Sequence, residues 1–313
     1  MPTLLSLSAS RHAVVLAVSQ PDRPRGRGRT LTPSPVSEAA LHAGIPLLRP
    51  EHVAEAACEH ALRAAAPDLG VVVAYGQFLS KRIRECPALG YTINAHASLL
   101  PKYRGAEPIA RAILSGEQKT GISVMRVERE MDAGPVALVR DLEIGAEETR
   151  GELEERLAHL AAQAIGEAID AIAEGRASWH EQDHAAASDA PKFEPRESEL
   201  DFHEDAVSLV RRVRARAPRP GAHARLNGAT LRILAARAEP GPCRVAPGTL
   251  QRGADGLVRI ATGNGWLLPL QLQRSGRKPL PSDAFWRGFS LPEGSRVQVP
   301  VKHYQRMEQK DGT

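Results

Sequence analysis

The side chains best suited to chemistry lie between residues 94 and 135 of this 313-residue chain. Asn94 and His96 flank Ala95 at the end of an apolar run. If that run is a strand, alternation turns both side chains to one face, at the sheet edge where α/β folds bind ligands. Ser98-Leu99-Leu100-Pro101-Lys102-Tyr103-Arg104-Gly105 follows, and Pro101 and Gly105 argue against regular structure there. Further on, Met131-Asp132-Ala133-Gly134-Pro135 reads as a tight loop presenting one carboxylate. An amide, an imidazole and a carboxylate suit acyl transfer to an amine. The amide N–H and a protonated imidazole can donate to an oxygen that turns negative in a tetrahedral intermediate, and loss of one such donor typically slows a reaction by about 10²–10³. The carboxylate can hold the charged imidazole or help remove the amine proton. Taken singly, each residue also has an ordinary structural explanation: a strand-end Asn, a satisfied His, an Asp in a turn.

The surrounding elements form an α/β pattern. Short β-branched runs at residues 14–18, 71–74 and 91–94 read as strands, and 121–127 as a further one. Residues 37–43 and 52–66 have helical composition, with Ser37 as a candidate cap and Gly44 as a stop for the first. Residues 150–174 carry Leu153, Leu157, Leu160 and Ile165 near helical spacing and predict a long helix ended by Gly175. The expected result is a doubly wound, mostly parallel sheet over residues 1–184. Residues 185–198, with Pro191 and Pro195, have linker composition. In 199–313, a helix at 205–216 precedes short strands at 222–226, 230–235, 256–261 and 266–273, which suggests a small OB-like β-barrel. The three cysteines, Cys58, Cys86 and Cys243, have neither zinc nor redox spacing and are expected reduced and buried.

Charge is uneven along the chain. Residues 201–313 hold 19 Lys and Arg against 9 Asp and Glu, whereas residues 1–200 hold 22 against 28. A basic half joined to an acidic one points to a polyanionic partner held by the second half, or to a solvated arginine-rich surface. The short apolar stretch at the start has no basic residues before it and does not read as a secretion signal, so a cytoplasmic location is expected.

At Asn94-x-His96, Ser98-Leu99-Leu100-Pro101 and Asp132 the chain resembles the 10-formyltetrahydrofolate-dependent formyltransferases. That resemblance implies that Asn94, His96 and Asp132 are the catalytic set. It also implies that Ser98, Leu99, Leu100 and Pro101 lie against the folate, that residues 71–76 form part of the folate pocket wall, and that no metal is required. Over nearly the whole chain the likeness is to the methionyl-tRNA formyltransferases within that superfamily. Residues 20–28, Gln-Pro-Asp-Arg-Pro-Arg-Gly-Arg-Gly, resemble their basic loop at the tRNA acceptor end, with Arg25 and Arg27 as contacts, and Lys192 falls at a tRNA-proximal position. Pro220-Gly221-Ala222, Pro247-Gly248-Thr249 and residues 272–278 resemble their C-terminal domain. The expected partners are therefore initiator methionyl-tRNA and folate, and the expected state is a monomer in the cytoplasm. The resemblance also implies a strand and a Gly-Thr-Pro loop ahead of the helix at Pro2, and the sequence starts inside that helix. A doubly wound sheet has its first strand at the centre, so its absence would open the edges of neighbouring strands and remove part of the substrate pocket. Two other readings stand beside this one: a chain that binds tRNA without turnover, and the same chemistry on glycinamide ribonucleotide or an amino sugar nucleotide.

Overall fold

The computed structural model describes residues 1–25, 30–287, 291–292 and 294–298. They form two compact units that interleave along the chain. Met1–Ile109, Gln118–Ile144 and Leu153–Lys192 make the first; Ala110–Glu117, Gly145–Glu152 and the chain from Phe193 onward make the second. Among the described residues no helix is long and apolar enough to cross a membrane.

In chain order the elements up to residue 173 are α1 (Pro2–Ser8), β1 (Ala17–Val18), β2 (Arg23–Arg25), β3 (Thr30–Thr32), α2 (Pro35–His42), β4 (Leu47–Leu48), α3 (Ala56–Ala64), β5 (Gly70–Val72), α4 (Lys81–Arg84), β6 (Thr92–His96), α5 (Pro108–Ser115), β7 (Lys119–Arg126), β8 (Val136–Glu143) and α6 (Arg150–Ala173). The expected α/β architecture with parallel pairing is present: β1 runs parallel to β4, and β5 to β6. The pairing is mixed, because β7 and β8 join β6 as antiparallel strands in the order β5-β6-β7-β8. Among the described residues β1 and β4 form a sheet of their own, and neither bonds to β5. Side chains link the two sheets instead. Gln20 Nε2 donates to the Tyr75 carbonyl (2.7 Å), and Val18, Leu48, Val72, Leu79 and Ile83 share one apolar cluster.

Local differences from the sequence reading have identifiable causes. The helix expected at 37–43 begins at Pro35, since the hydroxyl of Ser34, not Ser37, accepts the Ser37 N–H (3.0 Å) and proline suits the first helical turn. The stretch 52–66 is helical only over Ala56–Ala64, because the Val53 N–H is directed to Gln77 Oε1 (2.8 Å). The β2–β3 hairpin, α5 and β8 were not anticipated. All three cysteines are free, but only Cys58 is buried; Cys86 and Cys243 are half-buried.

In the second unit α7 (Ala206–Arg216) is capped by Asp205, whose carboxylate accepts from Ser208 N (2.9 Å) and Oγ (2.7 Å). There follow β9 (Ala222–Leu226), β10 (Ala229–Glu239), β11 (Leu250–Arg252), β12 (Val258–Ala261), β13 (Trp266–Arg274), β14 (Leu280–Pro281), α8 (Ser282–Arg287) and β15 (Val297–Gln298). They pair antiparallel in the order β11-β12-β13-β10-β9-β15, with β14 on β13. A bridge between Thr249 and Arg296 brings the two ends of this path together, so the sheet nearly closes into the expected barrel. Leu200, Phe202, Leu209, Ile233, Ile260 and Trp286 fill its core.

Candidate active site

β6 places the first two candidate residues. Ile93 is fully buried behind the strand, while Asn94 and His96 share the opposite face by alternation. Asn94 is half-buried, and its carboxamide has no hydrogen-bond partner among the described residues. His96 is only 6% exposed. Its Nε2–H donates to the Tyr103 carbonyl (2.8 Å), and its Nδ1 lies 3.4 Å from Asp132 Oδ2. Both ring nitrogens therefore face oxygen.

Asp132 comes to the imidazole from the loop after β7. Its backbone is left-handed (φ 52°), a conformation that Asp tolerates better than most residues. The same Oδ2 that faces His96 accepts the Gly105 N–H (2.9 Å). Two neighbouring peptides of one loop thus hold both side chains: Tyr103 supplies the carbonyl to His96 and Gly105 the N–H to Asp132. Gly105 has φ 119°, and a Cβ there would stand 2.9 Å from the Ala190 carbonyl oxygen, so the position requires glycine.

The residues assigned to folate occupy the intervening loop. Ser98 is fully buried, with its hydroxyl donating to the Lys102 carbonyl (2.6 Å), so its side chain shapes the loop from within. Ser123, opposite His96 on β7, braces the same loop by donating to the Ser98 carbonyl (2.8 Å) and accepting the Leu100 N–H (3.1 Å). Leu99, Leu100 and Pro101 are half-buried and offer apolar surface. An open cleft of about 470 Å³ lies at the carboxyl ends of β1 and β5, lined by residues that include Gln20, His52, Gly76, Gln77 and Phe78. Tyr75 borders this region; burial pushes its phenol pKa up, as it does the Cys58 thiol in the same apolar cluster. Of the expected tRNA contacts, Lys192 is exposed and Arg25 ends β2. Arg27 lies outside the described residues. Among the described residues no three His, Cys, Asp or Glu side chains group as a metal ion would require.

Residues 3–169 match the formyl transferase family, and residues 192–290 match the formyl transferase C-terminal domain. The chain belongs to the formyl transferase family. A relative in Roseiflexus sp. (strain RS-1) named Methionyl-tRNA formyltransferase is 41% identical over 289 residues, covering 92% of this chain and 88% of that one. Another of the same name in Ectopseudomonas mendocina (strain ymp) is 44% identical over 277 residues, covering 88% and 87%. Among solved structures, the sugar 3N-formyl transferase WlaRD superposes with a TM-score of 0.62 at 14% identity over 88% of this chain and 94% of that one. At that identity the likeness concerns the fold.

Several residues around the site of this formyl transferase were not singled out from sequence. Gln20, Gln77, Arg104, Ser123 and Gln182 all act through hydrogen bonds to segments distant in the chain. A single sequence carries no signal for such pairings. Gly105 was legible only as a loop former, although its positive φ and contact with Ala190 make it specific.

Proposed function

We propose that this chain transfers the formyl group of 10-formyltetrahydrofolate to the α-amino group of methionyl-initiator tRNA, giving formylmethionyl-tRNA for translation initiation. The observation that carries the reading is the contact of the buried His96 with Asp132, 3.4 Å apart, beside an Asn94 amide on the same strand face that has no hydrogen-bond partner among the described residues. Two relatives of 41% and 44% identity bear the name of that activity. The structure of WlaRD was determined in the presence of a formyl-tetrahydrofolate, which supports the same class of donor here.

The amine lone pair attacks the formyl carbon, forming the new C–N bond while the carbonyl oxygen becomes an oxyanion. The Asn94 amide and His96 Nε2–H donate to that oxygen; to reach it, Nε2–H turns from the Tyr103 carbonyl or is shared with it. Asp132 balances the charge on the ring. Collapse breaks the bond between carbon and N10 of the folate, and the proton lost by the attacking amine ends on N10. The apolar rim of Leu99, Leu100 and Pro101 carries the folate, with Ser98 fixing the loop beneath. We assign catalysis to residues 1–184, a linker to 185–198 and tRNA binding to 199–313, with Arg25, Arg27 and Lys192 at phosphates, which position without reading bases. The reading implies a cytoplasmic monomer.

The test is incubation of the purified chain with methionyl-tRNA and 10-formyltetrahydrofolate, with glycinamide ribonucleotide and an amino sugar nucleotide as parallel acceptors. Formylmethionyl-tRNA formation is the expected result. Its absence across the accessible range of salt overturns the reading, and formylation of a small acceptor alone reassigns the substrate.

A further inference from the structure

Two buried polar side chains near the site take no part in the proposed chemistry, yet their hydrogen bonds to each other and to the Asp132 loop connect segments that do. Gln182, 7% exposed, lies well outside both catalytic loops in sequence. Its Nε2 donates to the carbonyls of Asp132 and Gly134, both at 2.8 Å. Its Oε1 accepts from Arg104 Nε (3.1 Å) and Nη2 (2.7 Å). The amide is saturated, and its orientation is fixed, since a flip would set its oxygen against two carbonyls and its N–H₂ against a guanidinium. Arg104, 8% exposed, is the residue between Tyr103 and Gly105, whose peptides hold His96 and Asp132. Its Nη1 also lies 3.3 Å from His184 Nδ1 and 3.6 Å from the exposed Glu130 carboxylate. Its backbone is tied to Ser188 and Ala190.

These bonds close a circuit. His96 leads to the 103–105 loop, that loop to the Asp132 carboxylate, the Asp132 carbonyl to Gln182, and Gln182 back through Arg104 to the same loop. Asp132 has a left-handed backbone, a conformation unfavourable to an L-residue. Something must hold that conformation for the carboxylate to face His96, and the two Gln182 donations grip the chain on either side of Ala133. Gly134 lets the chain pass there, because a Cβ would collide with the Arg126 carbonyl. We infer that Gln182, itself held by Arg104, is a positioning residue that fixes the Asp132 carboxylate against His96. The inference rests on Asp132 being catalytic, as proposed above.

Gln182→Met keeps length and removes every hydrogen bond. It is tested in the full chain, alone and combined with Asp132→Asn, by formyl transfer to methionyl-tRNA and by hydrogen exchange at the Gly105 amide, whose acceptor is Asp132. Gln182→Met is expected to lower kcat by about 10–100-fold, the cost of an ångström-scale misplacement, with KM for either substrate within about threefold. In the Asp132→Asn background it should lower kcat no further, since it acts only through that carboxylate. The Gly105 N–H should exchange at least about tenfold faster in Gln182→Met than in the parent. Equal loss in both backgrounds, as general loosening would give, overturns the inference, and so does unchanged Gly105 exchange. A parent chain inactive on every acceptor sinks the proposed function, while the exchange measurement still decides the positioning role. If Gln182→Met does not fold, Gln182→Glu retains an acceptor for Arg104, lacks the donation to both carbonyls, and is read the same way.

Discussion

Replacing Asp132 with Asn isolates the charge opposite His96. The substitution keeps size, and the amide oxygen, placed where Oδ2 now both faces His96 and accepts the Gly105 N–H, keeps the loop's anchor. What disappears is a negative charge 3.4 Å from His96 Nδ1, between side chains 6% and 14% exposed. At an effective dielectric constant of about 20, two unit charges at that distance attract by about 5 kcal/mol. Desolvation of the pair offsets part of this, so it is a ceiling. With about 1.4 kcal/mol per tenfold in rate, the ceiling corresponds to roughly 10³–10⁴ in kcat. With the amide oxygen held at that position by the Gly105 N–H, His96 Nδ1 faces a neutral acceptor in place of a carboxylate, and positive charge on the ring in the transition state is left unbalanced. A loss of about 10²–10³ in kcat is expected, in line with removal of one oxyanion-stabilising group, with KM nearly unchanged. Single-turnover transfer of labelled formyl to methionyl-tRNA gives the rate, and the melting temperature checks the fold. An Asp132→Asn protein that folds normally and turns over within about threefold of the parent would refute the reasoning.

Further outcomes follow from other features. Asn94→Ala should lower kcat by about 10²–10³ while leaving the melting temperature within a degree or two, because no hydrogen bond within the described residues is lost; a large stability loss would place Asn94 in the scaffold instead. In the barrel, hydrogen bonds from Arg259 hold the Asp255 carboxyl down at about 2, below its ordinary 3.8. Its depressed value means that its stabilising contribution is present above the unfolded value and fades as pH falls through the folded one. The melting-temperature difference between the parent and Asp255→Asn should accordingly be constant above about pH 5, shrink to a small part of that by about pH 2 and vanish at about pH 1, below both values; a difference as large at pH 2 as at neutral pH contradicts the assignment. Affinity for tRNA should fall linearly on a double-logarithmic salt plot, and Arg27→Ala or Lys192→Ala should each reduce the slope by about one if the residue meets a phosphate; an unchanged slope removes it from the interface.

The sequence alone determined the kinds of groups available and where along the chain they cluster. Asn94 and His96 could be placed on one face because strand alternation is local. The long helix at residues 150–173 and the helix expected at 205–216, which begins one residue later at Ala206, were likewise legible, since helical periodicity depends on residues a few positions apart. The edge strand β8, half-buried along one side and exposed along the other, opens on the apolar residues 136–139 and then carries Arg140, Asp141 and Glu143, so only its first half has strand-like composition. Tertiary structure alone decided that Asp132 reaches His96, since their approach depends on a left-handed Asp132 backbone and on peptides 103–105. It also decided that residues 188–190, read as linker, pair with Arg104, and that Gln182 joins two loops from a distance of some fifty to eighty residues. The physical reason is the range of the interactions: propensity, alternation and caps act within a turn or two of chain, whereas a hydrogen bond between distant loops exists only once the whole unit has brought donor and acceptor within about 3 Å.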